Sequence, residues 1–150
     1  MIHQLKSQEV PLLLAGGEMF ASAGGLPGGF KPDVFEATWR GLIDAGIGVV
    51  FALFGEDGKI HGALGAIKCP DPFNGDMVAM ENYWFVIPEF RGRGALLLRE
   101  YEKWARAEGC KRISMVHLQK LQPAELKDFY TRLGYEHIES AYIKSLERTV

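Results

Sequence analysis

Apolar positions along the chain switch between helical and strand spacing in a readable order. Residues 9–22 are largely apolar and read as a helix, with Pro11 tolerable in its first turn and Gly16-Gly17 weakening it. From Pro32 onward, Val34, Phe35, Trp39, Leu42 and Ile43 recur at the spacing of one helix face, and Gly46 ends that pattern. Two strand-like runs follow. Residues 48–53 are rich in Val and Phe, residues 60–67 alternate with small side chains, and Glu56-Asp57-Gly58 between them signals a hairpin. After a turn-prone stretch over residues 70–76, residues 77–86 predict a third strand.

The second half adds a strand-turn-helix-strand unit. The third strand runs into Pro88-Glu89-Phe90-Arg91-Gly92-Arg93-Gly94, and a helix over 95–108 places Leu97, Tyr101, Trp104 and Ala105 on one side before Gly109. A strand is expected over 112–117, then a helix over 123–133 with proline early and Gly134 at its end. Residues 136–138 and 141–146 predict a closing hairpin of strands. A strand-helix-strand unit implies a parallel pair with a crossover. The expected fold is α/β of the α+β type in one domain over residues 1–150. It has a mixed central sheet with antiparallel N-terminal strands, the parallel unit after them, and helices on both faces. The glycine-rich stretch Gly24-Gly25-Leu26-Pro27-Gly28-Gly29 reads either as a connector or as a loop that closes over a substrate.

Composition narrows the function classes. Seventeen basic and 19 acidic side chains leave a net charge of −2, which argues against a strongly basic nucleic-acid binder. At 47% hydrophobic and 24% charged, the chain has the composition of a folded globule. Cys69 and Cys110 are too few for a disulfide scaffold and read as reduced thiols of a cytoplasmic protein. The first residues lack the pattern of a signal peptide, and the longest apolar run, residues 47–54, is far short of the ~20 residues of a membrane span. No membrane partner is expected. His3, His61 and His137 show no metal-ligand spacing, so no metal is assigned.

The turn at residues 88–94 carries the candidate chemistry. Glycines at alternating positions let the backbone bend, and the start of a helix offers unpaired N–H groups and the positive end of its dipole. With Arg91 and Arg93 beside them, these groups read as a pyrophosphate cradle, or alternatively as a plain strand-to-helix turn. A phosphate-binding GxxxxGK[ST] loop is not present. A dinucleotide fingerprint also fails, because Leu97 stands where its third glycine belongs.

Val86-x-Pro88-Glu89-x-Arg91-Gly92-x-Gly94 followed by a leucine-rich helix resembles the acetyl-CoA motif of the GNAT N-acetyltransferase superfamily. Phe129-Tyr130-x-x-Leu133-Gly134-Tyr135 is similar to a second signature of that family. The register that starts at Arg91 keeps the family spacing and places Leu96 where a small residue is usual. The resemblance implies acetyl-CoA as acyl donor, bound by Phe85, Val86, Ile87, Arg91, Gly92, Arg93, Gly94, Ala95 and Leu96. It implies Glu81 as base for an amine acceptor and Tyr130 as acid for the leaving thiolate, with the Val86 N–H polarising the thioester carbonyl. Strand alternation predicts Glu81 on the face of Tyr83 and Phe85. The other reading of Glu81 is a solvent-facing edge carboxylate, and of Tyr130 a core aromatic. His117 and Tyr142 are candidates for the acceptor side, whereas Trp39, Trp84 and Trp104 read as core. Cys110, past a helix end and away from the turn, argues against a covalent cysteine intermediate. The rivals are a non-catalytic acyl-CoA-binding module and a nucleotide-phosphate binder. The acceptor stays open among small-molecule and peptide amines, and a two-fold dimer is the general expectation for an oligomer.

Overall fold

The structure, a computed structural model, describes residues 1–116 and 123–146. Five strands form one sheet in the order β1-β2-β3-β4-β5: β1 Ile2–Gln4, β2 Gly48–Phe54, β3 Ile60–Pro70, β4 Met77–Val86 and β5 Arg112–Ser114. Strands β1 to β4 pair antiparallel with one another in succession, and β5 runs parallel to β4. The crossover that a parallel neighbour requires is α3, Gly94–Ala107. The expected mixed sheet is present.

Strand β2 explains how the two layers are held. Its residues alternate between faces, so Val49, Phe51 and Leu53 enter one core while Val50 and Ala52 enter the other. A strand covered on both sides is apolar throughout, and residues 49–53 are all buried. The first core is closed by Leu97, Leu98, Tyr101 and Ala105 of α3, at the spacing of one helix face, and by Phe129 of α4 (Pro123–Arg132). Opposite it, Val10, Leu13 and Trp39 pack onto the sheet from the N-terminal segment and α2 (Pro32–Asp44). Trp39 is buried, while Trp84 and Trp104 pack at the edge of the first core.

Four local expectations are corrected. The N-terminal helix is split into a 3₁₀ stretch, Ser7–Leu13, and α1, Leu14–Gly24. Pro11 lies inside the 3₁₀ stretch; it lacks an N–H and restrains the residue before it, which suits a tight turn better than an α-helix. Strand β1 was not expected, since three residues are too short to show an alternation. Strand β5 ends at Ser114, and His117 lies outside the described residues. The closing hairpin over 136–138 and 141–146 is not formed. Residues 135–146 hold no strand, and Ile138, Tyr142, Ile143 and Leu146 stand exposed. A strand needs a ladder to join, and β5 offers an edge of only three residues. In the glycine-rich loop, Gly25, Gly28 and Gly29 do take the left-handed conformation, and Gly25 caps α1 there.

Candidate active site

The site is built on an irregularity in β4. Gly65 pairs with Tyr83, but Ala66 pairs with Glu81, so Asn82 is one residue too many on its strand. Such a bulge reverses the alternation of side chains across it. Glu81 therefore follows Ala66 and Ala79 toward α3, whereas Tyr83 and Phe85 face α1 and α2. The expectation that all three share a face is overturned, and the cause is the extra residue. Tyr83 lies across Gly65, where any Cβ would collide with its ring. Its hydroxyl is buried with no partner among the described residues. A buried hydroxyl left unpaired costs free energy, so Tyr83→Phe is expected to stabilise the fold by about 1 kcal/mol in urea unfolding. A loss of that size instead would show that the hydroxyl is bonded in solution.

Glu81 is 6% exposed, and no other carboxylate among the described residues is buried. Burial pushes its pKa up to about 8, partly opposed by the Val116 N–H, which donates to Oε2 at 3.1 Å. The same residue engages the other predicted catalytic group through its carbonyl. The Tyr130 hydroxyl donates to the Val116 carbonyl at 2.8 Å. Burial, and then the charge of Glu81, raises the pKa of this phenol, so it holds its proton at neutral pH. The structure thus places Glu81 and Tyr130 on the two polar ends of one residue, just beyond the point where β5 leaves β4. Val116 carries no sequence signal for this role, because it contributes only backbone.

The β4–β5 ladder stops at Met80↔Ser114. Beyond it no strand among the described residues pairs with the outer edge of β4. The Ile87 N–H donates to the His61 carbonyl of β3, so Ile87 is in the hydrogen-bonded set of an antiparallel pair. Alternation puts Phe85 in that set too, and turns the N–H and C=O groups of Trp84 and Val86 away from β3. The Val86 N–H is therefore aimed at the gap, as its proposed contact with a thioester requires. Phe85 and Ile87 direct their backbone groups to β3, and the Phe85 ring packs against Phe20 on the other face. Those two are not brought to the gap.

The turn after β4 differs from an open glycine loop. Pro88–Arg93 is a 3₁₀ stretch that runs directly into α3, and neither Gly92 nor Gly94 has a positive φ. The Phe90 N–H donates to Ile87 O at 2.9 Å and the Gly94 N–H to Arg91 O, so two amides of the turn, that of Gly94 among those expected to bind the donor, are bonded internally. The basic groups remain, with Arg91 and Arg93 both exposed and open space around Gly92. Gly94 serves packing instead, since a Cβ there would lie 3.2 Å from the Trp84 ring and 3.4 Å from Val86. Ala95 is half-buried, and Leu96 is turned outward at 41% exposure, so its bulk does not fill the gap. Gly94→Val is expected to pry the first turn of α3 off β4 and weaken acetyl-CoA binding about tenfold, or 1.4 kcal/mol. Titration calorimetry beside Gly92→Ala, which meets nothing, checks this. Equal affinities in the two variants would refute it.

Tyr142 is almost fully exposed in the segment without strands and is not gathered to Glu81 and Tyr130. The Cys110 thiol is raised in pKa by burial, which disfavours a nucleophilic thiolate. No helix among the described residues is long and apolar enough to cross a membrane.

A model of the Acetyltransferase (GNAT) family matches residues 24–135, well over half of the chain. The chain belongs to the GNAT family. Its solved structural relatives share the fold across nearly their full length. A predicted acetyltransferase from Clostridium acetobutylicum, solved with acetyl-CoA, superposes with a TM-score of 0.78 at 13% identity, covering 97% of this chain and 96% of its own. The aminoglycoside N-acetyltransferase AAC(6')-Iy, in complex with a bisubstrate analogue, gives 0.77 at 20% identity, with 99% and 98% covered. Glucosamine-6-phosphate N-acetyltransferase from Arabidopsis thaliana gives 0.71 at 17% identity, with 98% of each chain covered. No curated protein sequence matches the chain. Within this GNAT domain the two stretches that carry the resemblance lie at the β4–α3 turn and across the C-terminal end of α4.

Proposed function

We propose that this GNAT domain transfers an acetyl group from acetyl-CoA to the primary amine of a small molecule or peptide, by direct attack with both substrates bound. The supporting observation is the pairing of Glu81 and Tyr130 on Val116 at the open edge of β4. As the neutral amine nitrogen bonds to the acetyl carbon and the carbon–sulfur bond breaks, ionised Glu81 takes one proton from that nitrogen and the departing sulfur receives the Tyr130 proton; exchange with water then returns Glu81 to its carboxylate and Tyr130 to its phenol. The Val86 N–H holds the carbonyl oxygen as negative charge develops on it. Gly92 and the two arginines give the donor's phosphates an open, basic surface, which fits acetyl-CoA. Several relatives are named for amine acceptors, an aminoglycoside and glucosamine-6-phosphate among them.

Thermal unfolding with acetyl-CoA, CoA, ATP and NAD at equal concentration tests the donor. A ligand at 100 times its Kd stabilises by about 2.7 kcal/mol, a shift of several degrees for a domain of this size. Acetyl-CoA and CoA alone are expected to give it. No shift from either at millimolar concentration defeats the proposal, and a shift with ATP favours a nucleotide binder.

A second reading has an observation of its own. Glu81 already accepts from the Val116 N–H and Tyr130 already donates to the Val116 carbonyl, which is what struts in a non-catalytic acyl-CoA-binding module would do. That reading expects CoA binding without turnover.

A further inference from the structure

We propose that His61 is a positioning residue for the acyl donor, fixing Arg93 where it meets the donor's phosphates. The inference rests on the acyl-CoA reading above. Two amides of the turn are bonded within the 3₁₀ stretch, so side-chain charge carries a larger share of any phosphate contact. Arg93 stands immediately before the first residue of α3, beside the positive end of that helix. A long exposed arginine is useful there only if it is held, because ordering a free side chain weakens binding about three- to tenfold.

The holding device comes from outside the strand-turn-helix unit. Phe90 lies under the Arg93 guanidinium, which sits 5.5 Å from its ring centroid, within cation–π range. Phe90 is backed in turn by the His61 ring at 4.3 Å. His61 belongs to β3, and its Nε2 is fixed by Asp57 Oδ1 at 2.8 Å in the β2–β3 hairpin. Asp57 is itself fixed by the Lys59 N–H at 3.0 Å. Gly55 gives the imidazole room, since a Cβ there would strike it. The His61 carbonyl also accepts from the Ile87 N–H at 2.9 Å, so the strand that leads into the turn and the ring that braces it are tied to one residue. The hairpin tip thus reaches Arg93 through Asp57, His61 and Phe90.

The test compares two donors in the full-length protein. Acetyl-CoA has the phosphates, and S-acetylpantetheine does not. In His61→Ala the Kd of acetyl-CoA is expected to rise about three- to tenfold, with kcat little changed. The kcat/KM for S-acetylpantetheine should stay within twofold of wild type. His61→Phe keeps an aromatic backing for Phe90 and should restore most of the affinity. Asp57→Asn, at an exposed position, should weaken acetyl-CoA binding about two- to threefold even where His61→Ala fails to fold. Unchanged acetyl-CoA affinity in the soluble variants, or equal losses with both donors, would overturn the proposal while leaving the acyl-CoA reading intact. A wild-type protein that binds neither acetyl-CoA nor CoA overturns both.

Discussion

Glu81→Gln is expected to remove at least 10²-fold of the acetyl transfer rate and, at pH 8, to make the protein more stable. The two effects have one cause. The carboxyl is buried, and its pKa is raised to about 8 from an ordinary value near 4.5. Between those values the folded state keeps a proton that the unfolded state has lost. Stability from this group is therefore complete below pH 4.5 and is lost as pH rises through about 8, with a slope of about 1.4 kcal/mol per pH unit. Glutamine stays neutral, and its amide oxygen still accepts from the Val116 N–H. The melting temperature of Glu81→Gln relative to wild type should thus climb by several degrees from pH 5 to pH 8.5. Activity runs the other way. Only ionised Glu81 takes a proton, so the wild-type rate at saturating substrate should rise with pH and level off above about 8, and the variant should lose that limb. Wild-type turnover in Glu81→Gln, with CoA affinity intact, would assign catalysis elsewhere. No turnover by either protein with any amine, together with tight CoA binding, would favour the non-catalytic module.

What the sequence shows of this arrangement depends on how local each cause is. The amphipathic face of α3 and the apolar run of β2 are legible because every residue in them obeys one period. The helix that carries Tyr130 and the strand-to-helix turn at residues 88–94 are legible because each fits within one short window. The bulge at Asn82 was not legible. One extra residue on a strand shows only against its partner, and it moved Glu81 to the opposite face from Tyr83. The 3₁₀ form of the turn is hidden for a related reason, since alternating glycines suggest conformational freedom while Gly94 serves the close approach of Trp84. Val116 meets Glu81 and Tyr130 through its backbone N–H and carbonyl, and His61 meets Phe90 through a ring contact between distant segments, none of which a spacing rule reports. The closing hairpin failed the other way: residues 141–146 contain strand formers but meet no sufficient edge.

Tyr130→Phe is expected to lower kcat about 10²-fold with little change in the Kd of acetyl-CoA. The ring itself should stay in place. It is 8% exposed and packs against Trp84 at 6.1 Å and Tyr135 at 5.7 Å, contacts that phenylalanine keeps. Only the hydroxyl is lost, and with it the bond to the Val116 carbonyl. An acceptor left unpaired there costs about 1–2 kcal/mol, a loss visible in unfolding and independent of any donor. A catalytic role adds something that packing does not. Without the phenol the sulfur must leave as a thiolate or take its proton from water, so the deficit belongs to the chemical step, within the range of general acid catalysis. Single-turnover acetyl transfer measures that step directly. The pH dependence through about 8 should survive, because it belongs to Glu81 and not to Tyr130. A variant that is less stable but turns over at the wild-type rate would make Tyr130 a brace for Val116, and the leaving thiolate would then draw its proton from another source.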